Sequence, residues 1–202
     1  MRLGILISGR GSNFEAIANS IAQRKLDAEI AIVIANKVSA GGLEIARQRG
    51  IPMRAIPSQG MDREAYDKLL VDELRTHEVE LVCLAGFMRL LSANFVRAFP
   101  NRVLNIHPSL LPAFPGLDAQ RQALEHGVKV TGCTVHFVDE FLDSGPIILQ
   151  SAVPVLDRDT VETLSARILL QEHSIYSQAI QLIAEDRVTI EERRVLICEE
   201  EE

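Results

Sequence analysis

The run Asn105-Ile106-His107-Pro108-Ser109-Leu110-Leu111-Pro112 holds the side chains in this chain best suited to chemistry. Histidine exchanges protons near neutral pH. Pro108 pushes the backbone of His107 toward the extended region. Val103-Leu104-Asn105-Ile106 reads as a strand end that Pro108 and Pro112 prevent from continuing. Asn105, two residues earlier, falls on the same side of such a strand as His107. An amide donor beside a histidine suits stabilisation of a developing oxyanion together with proton transfer. A strand-end histidine bonded to backbone is the plainer reading, and these residues alone leave both open.

Four other stretches could contribute. Ser8-Gly9-Arg10-Gly11-Ser12-Asn13 lies between a strand pattern and a helix pattern, where glycines let backbone amides approach an anion at a helix N-terminus. As a dinucleotide fingerprint it fails, because Phe14 occupies the third glycine position and Asn36-Lys37 follows the second strand where a ribose-binding acid is needed. A single phosphate fits better; alternatively Ser12 and Glu15 form a capping box for their own helix. Ala85-Gly86-Phe87-Met88-Arg89-Leu90-Leu91 follows another strand, a position where ligands bind in parallel sheets. In Phe141-Leu142-Asp143-Ser144-Gly145-Pro146 the Gly-Pro step marks a turn, so Asp143 is a loop carboxylate able to approach His107. Glu172 falls on the apolar face of a long helix, either as a solvated edge residue or as a ligand contact. His77 and His126 lie near helix ends, where a cation suits the dipole, and His136 sits in a strand; no pair has metal-ligand spacing.

The elements that must position these residues are legible. Residues 3–7, 29–35 and 79–85 are near-continuous apolar runs, and helical spacing recurs around Phe14, Ile17 and Ile21 and over residues 61–76. A short strand around 53–56 separates two helices. Apolar strands alternating with helices predict an α/β domain with a parallel sheet covered on both faces. Beyond His107, Pro112, Pro115 and Gly116 make a stiff loop, and a short helix follows over 118–126. Residues 130–138 alternate like a strand, and 146–153 form another. Asp159-Thr160-Val161-Glu162 has capping-box spacing with Asp159 as the cap, opening a helix with Val161, Leu164, Ile168, Ile175, Ala179 and Leu182 on one face. Residues 187–198 read as two short strands, and 199–202 should fray.

With 202 residues the chain fits one domain and can bury a sizeable core. A net charge of -7 argues against a nucleic-acid surface while allowing a local basic pocket for an anionic metabolite. Cys83, Cys133 and Cys198 lack paired spacing, which suggests neither zinc nor disulfides and fits a reducing cytoplasm. No apolar run approaches the roughly 18 residues of a membrane helix.

Taken together, these stretches resemble the folate-dependent glycinamide ribonucleotide formyltransferase family of purine synthesis. The likeness runs from Leu3 to about Tyr176 and rests on 7–13, 84–89, 105–112, Val135-His136-Phe137-Val138, 142–148 and Gln171-Glu172-His173. The resemblance implies one Rossmann-like formyltransferase domain over 1–202, with a mostly parallel central sheet and helices on both faces. Its phosphate-binding half would span about 1–100 and its folate and catalytic half about 101–202. It implies that Asn105, His107 and Asp143 are catalytic, with Asp143 orienting His107. Gly11, Ser12 and Asn13 would hold the substrate phosphate and Glu172 the ribose. Arg63 would meet the folate tail, and Met88, Arg89, Leu90, Leu91, Asn105, Asp139, Glu140, Phe141 and Leu142 would line the site of the co-substrate 10-formyltetrahydrofolate. No metal is expected. The implied partners are glycinamide ribonucleotide and formyl folate, for a monomer or homodimer. Leu169 and Ala113 depart from the family's usual longer polar side chain and lysine. A formyltetrahydrofolate hydrolase and a non-catalytic phosphometabolite-binding protein are the alternatives.

Overall fold

Strand and helix alternate from the first residues of the structure, a computed structural model that describes residues 1–198. The predicted fraying of 199–202 lies outside the described residues. The chain divides into two compact units, Met1–Asn105 and Ile106–Glu202.

In the first unit, β1 (Arg2–Ile7), α1 (Ser12–Ala22), β2 (Glu29–Ala35), α2 (Gly41–Gln48), β3 (Met53–Ala55), α3 (Arg63–Thr76), β4 (Leu81–Leu84) and α4 (Ala93–Ala98) lead into β5 (Val103–His107). The strands pair in parallel in the order β3-β2-β1-β4-β5. Leu3, Ile5, Leu6, Ile7, Val33 and Ile34 are fully buried, as strands covered on both faces must be. Each such side chain contributes about 1.5–3 kcal/mol relative to exposure. The chain steps outward from β1 to β3, then returns to place β4 on the other side of β1. In parallel sheets such a reversal is where ligands bind, and the 8–13 and 85–92 segments emerge there from the carboxyl ends of β1 and β4. Helix α4 escaped the sequence reading because it is only six residues long; the Ser92 hydroxyl caps it by accepting the Phe95 N–H at 3.3 Å.

The second unit contains α5 (Ala119–Glu125), β6 (Val130–Phe137), β7 (Ile147–Pro154), α6 (Val161–Ala184), β8 (Val188–Glu191) and β9 (Arg194–Ile197). Strands β6 and β7 are antiparallel, β9 joins β7 in parallel at Ile147–Arg194, and β8 and β9 form a hairpin. The strand predicted over 130–138 is β6. Thr131 through Phe137 are all buried. Within it the Thr134 hydroxyl and the His136 ring both find hydrogen-bond partners. The cap of α6 also differs from expectation. Thr160, extended at φ -97°, is the N-cap and forms the capping box with Thr163. Asp159 instead accepts from the Leu156 amide at 2.7 Å and binds Arg167 through both oxygens at 2.7 and 2.9 Å. This pairing, led by the Arg167 bonds, holds its carboxyl well below the usual range. Leu164, Ile168, Ile175 and Ala179 are buried on α6 as predicted, while Val161 and Leu182 are only half-buried. No described helix is long and apolar enough to cross a membrane.

Candidate active site

Gly11 is the N-cap of α1 and lies in the left-handed region at φ 81°, with its carbonyl accepting the Glu15 amide at 2.8 Å. A Cβ there would sit 2.8 Å from the Gly42 Cα, so both the turn and the close approach require glycine. The turn starts the helix at Ser12 and leaves no side-chain cap, which overturns the Ser12–Glu15 capping box. Ser12 is half-buried and Asn13 buried in the first turn of α1. Helix N-termini favour anions, and here no side-chain cap competes for the first amides.

The 85–92 segment is tied to its surroundings within the first unit. Ser8 donates its amide to the Gly86 carbonyl at 3.1 Å, and its hydroxyl accepts the Met88 amide at 2.8 Å. The Arg89 guanidinium lies 4.8 Å from the centroid of the Tyr66 ring and donates to the Ser58 carbonyl at 3.2 Å. Asp67 accepts the Ser92 amide at 2.5 Å. Met88 and Leu90 are left 64% and 53% exposed, an apolar edge beside a cation. Arg63, exposed at the start of α3, places a positive charge where the helix dipole disfavours one. A groove of about 510 Å³ between α3 and α4 is lined by Glu64, Lys68, Asp72 and Arg75 among others, and none of the predicted site residues lines it.

Asn105 and His107 stand two residues apart on β5, as expected. His107 is only 5% exposed. Its Nε2 lies 2.9 Å from the Phe114 carbonyl, which can only accept, so Nε2 carries a proton in this geometry. Its Nδ1 lies 3.4 Å from Asp143 Oδ2, and that carboxylate oxygen also accepts the Gly116 amide at 2.8 Å. Asp143 Oδ1 faces His136 Nε2 at 3.9 Å. Buried His136 donates Nδ1 to the Phe137 carbonyl at 2.8 Å. Burial, the largest cause, lowers its pKa below the ordinary histidine value against smaller opposing effects of the Phe137 carbonyl and Asp143.

The loop after His107 is pinned by Thr134. Its hydroxyl donates to the Ser109 carbonyl at 2.7 Å and accepts from the Leu111 amide and Gln150 Nε2 at 3.0 and 2.9 Å. The turn carrying Asp143 lies tight on β6, since a Cβ at Gly145 would sit 1.9 Å from the Phe137 carbonyl oxygen. Asp139 closes the preceding turn by accepting the Phe141 amide at 2.9 Å; Glu140, Phe141 and Leu142 are exposed, Phe141 by 74%. Glu172 is 7% exposed, which rules out the solvated-edge alternative. Its charge adds to burial in pushing the Cys133 thiol up to about 12.

A family model described as formyl transferase matches residues 1–180. The chain belongs to the formyl transferase family. This formyl transferase is similar to the crystal structure of glycinamide ribonucleotide transformylase 1 from Symbiobacterium toebii, with a TM-score of 0.97 and 55% identity over 98% of this chain and 94% of that one. It is 46% identical to phosphoribosylglycinamide formyltransferase of Escherichia coli (strain K12), covering 95% of this chain and 91% of that protein. It is also 50% identical, over 95% of its own length, to the trifunctional purine biosynthetic protein adenosine-3 of Bos taurus, of which it spans only 19%.

Of the groups that order His107 and its loop in this formyl transferase, the Phe114 carbonyl and Thr134 carried no sequence signal, and His136 entered only through the 135–138 stretch of the resemblance. The Phe114 carbonyl is a backbone acceptor and has no residue-type signature. Thr134 and His136 lie in a strand, where residue type does not name the hydrogen-bond partners they find. Among the described residues, no group of three or more His, Cys, Asp or Glu side chains is placed to hold a metal ion.

Proposed function

We propose that this formyl transferase moves the formyl group of 10-formyltetrahydrofolate to the primary amine of glycinamide ribonucleotide, a step of de novo purine synthesis. The observation that carries the reading is His107, buried two residues after Asn105, with an acceptor at each ring nitrogen. A ring holding two N–H groups can give one to a developing oxyanion while Asp143 keeps the other oriented.

In the proposed reaction the amine lone pair attacks the formyl carbon and the carbonyl electrons move to oxygen. That oxyanion is a stronger acceptor than the neutral Phe114 carbonyl and takes over the His107 proton, with the Asn105 amide as second donor. Collapse re-forms the carbonyl and breaks the bond to the folate nitrogen. The attacking amine loses one proton and the departing nitrogen gains one, with His107 as the carrier. Gly11, Ser12 and Asn13 are assigned to the ribonucleotide phosphate and Glu172 to its ribose. Arg63 and Arg89 are assigned to the anionic folate tail, and Met88, Leu90, Leu91 and the 139–142 turn to the pterin. Holding both reactants in one site supplies much of the rate.

The test is tetrahydrofolate release measured with and without glycinamide ribonucleotide. Release should require the ribonucleotide. Equal release without it would mean that water is the acceptor and the protein is a hydrolase.

A further inference from the structure

Arg89 is the cation of an otherwise apolar loop that two buried side chains hold, one at Arg89 and one at Ser92. Tyr66 is fully buried and Asp67 is 2% exposed, consecutive on α3. The Tyr66 hydroxyl donates to the Ile56 carbonyl at 3.0 Å, which fixes the ring over which Arg89 lies. Burial pushes that phenol up to about 12, so it remains a neutral donor. Arg89 is held from one side by Ser58, while its buried Nε has no hydrogen-bond partner and is an unused donor. Three residues on, the Ser92 amide is held by Asp67 Oδ2. The other oxygen of Asp67 is buried without a hydrogen-bond partner. Such a group destabilises a fold, so the contribution of Asp67 lies in what it fixes.

We infer that Tyr66 and Asp67 are positioning residues for the folate tail: through Arg89 and Ser92 they hold the 88–91 loop in its binding geometry without touching either ligand. The inference rests on the folate reading above. Both residues act on the loop assigned to formyl folate, so the ribonucleotide constant is expected to stay unchanged.

The experiment is steady-state kinetics with 10-formyltetrahydrofolate and glycinamide ribonucleotide varied in turn, with folding checked by circular dichroism. Asp67→Ala and Tyr66→Leu should each raise the KM for formyl folate about tenfold, the scale of one charged hydrogen bond or cation–π contact, with kcat and the ribonucleotide KM within about twofold. Asp67→Asn keeps an acceptor oxygen for Ser92 and should restore most of the affinity. Tyr66→Phe removes only the hydroxyl, so it carries the test if the larger changes prevent folding; it should raise the folate KM about threefold. A purely structural role would lower kcat through lost folded enzyme and leave both KM values unchanged, and that outcome overturns the inference. So does an unchanged folate KM in Tyr66→Phe or in a folded Asp67→Ala. A wild-type protein with no saturable dependence on formyl folate would overturn the folate reading and this inference together.

Discussion

At the scale of single residues, His107 illustrates what a sequence can and cannot disclose. Its spacing from Asn105 and the restriction from Pro108 are local and therefore legible. By its own type and spacing Asp143 was legible only as a loop carboxylate able to approach, its role coming from the resemblance, because its place 3.4 Å from Nδ1 depends on a chain reversal 36 residues away. The Phe114 carbonyl was not legible at all. In the proposed mechanism His107 and Asp143 act as a unit. His107→Ala should lower kcat by about a hundred- to ten-thousand-fold. Asp143→Asn, similar in shape but uncharged, should lower it by a smaller factor, and the double mutant should be little slower than His107→Ala. A two-by-two kinetic cycle measures this; near-normal turnover in Asp143→Asn would make that residue a turn former only. His136 carries a different prediction. Its pKa is lowered by burial, so as pH falls through about 6.5 the unfolded chain takes up a proton that the folded chain does not. Stability therefore falls with acidification in that window. Urea unfolding at about pH 7.5 and about pH 5.5 should show a shallower loss for His136→Gln than for wild type, whatever its absolute stability. Parallel pH dependence in the two proteins would place the titration elsewhere.

Elements were readable where their signal is periodic and misread where it depends on packing. The buried strands of the first unit announce themselves as apolar runs, and α6 shows its face through Leu164, Ile168, Ile175 and Ala179. Strand β6 was legible as a strand but its burial was not, because a sequence cannot say that Ser109, Leu111, Gln150 and Phe137 will satisfy its hydroxyl and imidazole groups. The start of α6 was displaced by one residue because Asp159 and Thr160 are both good caps by type. Only the fold shows that Asp159 is engaged by Arg167. Thr160→Ala should thus cost about 0.5–2 kcal/mol, read as a shift in the urea midpoint at unchanged slope. If Asp159→Ala leaves Arg167 in place and costs nothing while Thr160→Ala is also silent, the helix end is not a source of stability.

For the whole molecule, composition and charge set only outer bounds: a net charge of -7 coexists with Arg63 and Arg89 beside exposed apolar side chains. The two short strands near the C-terminus were foreseeable, but the parallel pairing of β9 with β7 was not, since pairing partners leave no local trace. Hydrogen exchange should divide the chain accordingly. Amides of β1 and β4, buried from Leu3 onward and throughout respectively, should exchange last, and those of β8 and β9, whose residues are all half-buried or exposed, should exchange early. Equal protection of the two sets would show that the hairpin opens only with the whole. The turn at Gly145 bears on how a mutational screen of this protein is interpreted. A library scored by turnover would rank Gly145 with His107, although it brings no reactive group. The two separate by their profiles. At Gly145 every replacement collides with the Phe137 carbonyl from the first carbon onward, so alanine fails as fully as tryptophan. At His107 the proposed mechanism expects the loss to follow proton-carrying ability instead of size. Scoring only which positions tolerate no change would count a steric boundary as part of the chemistry.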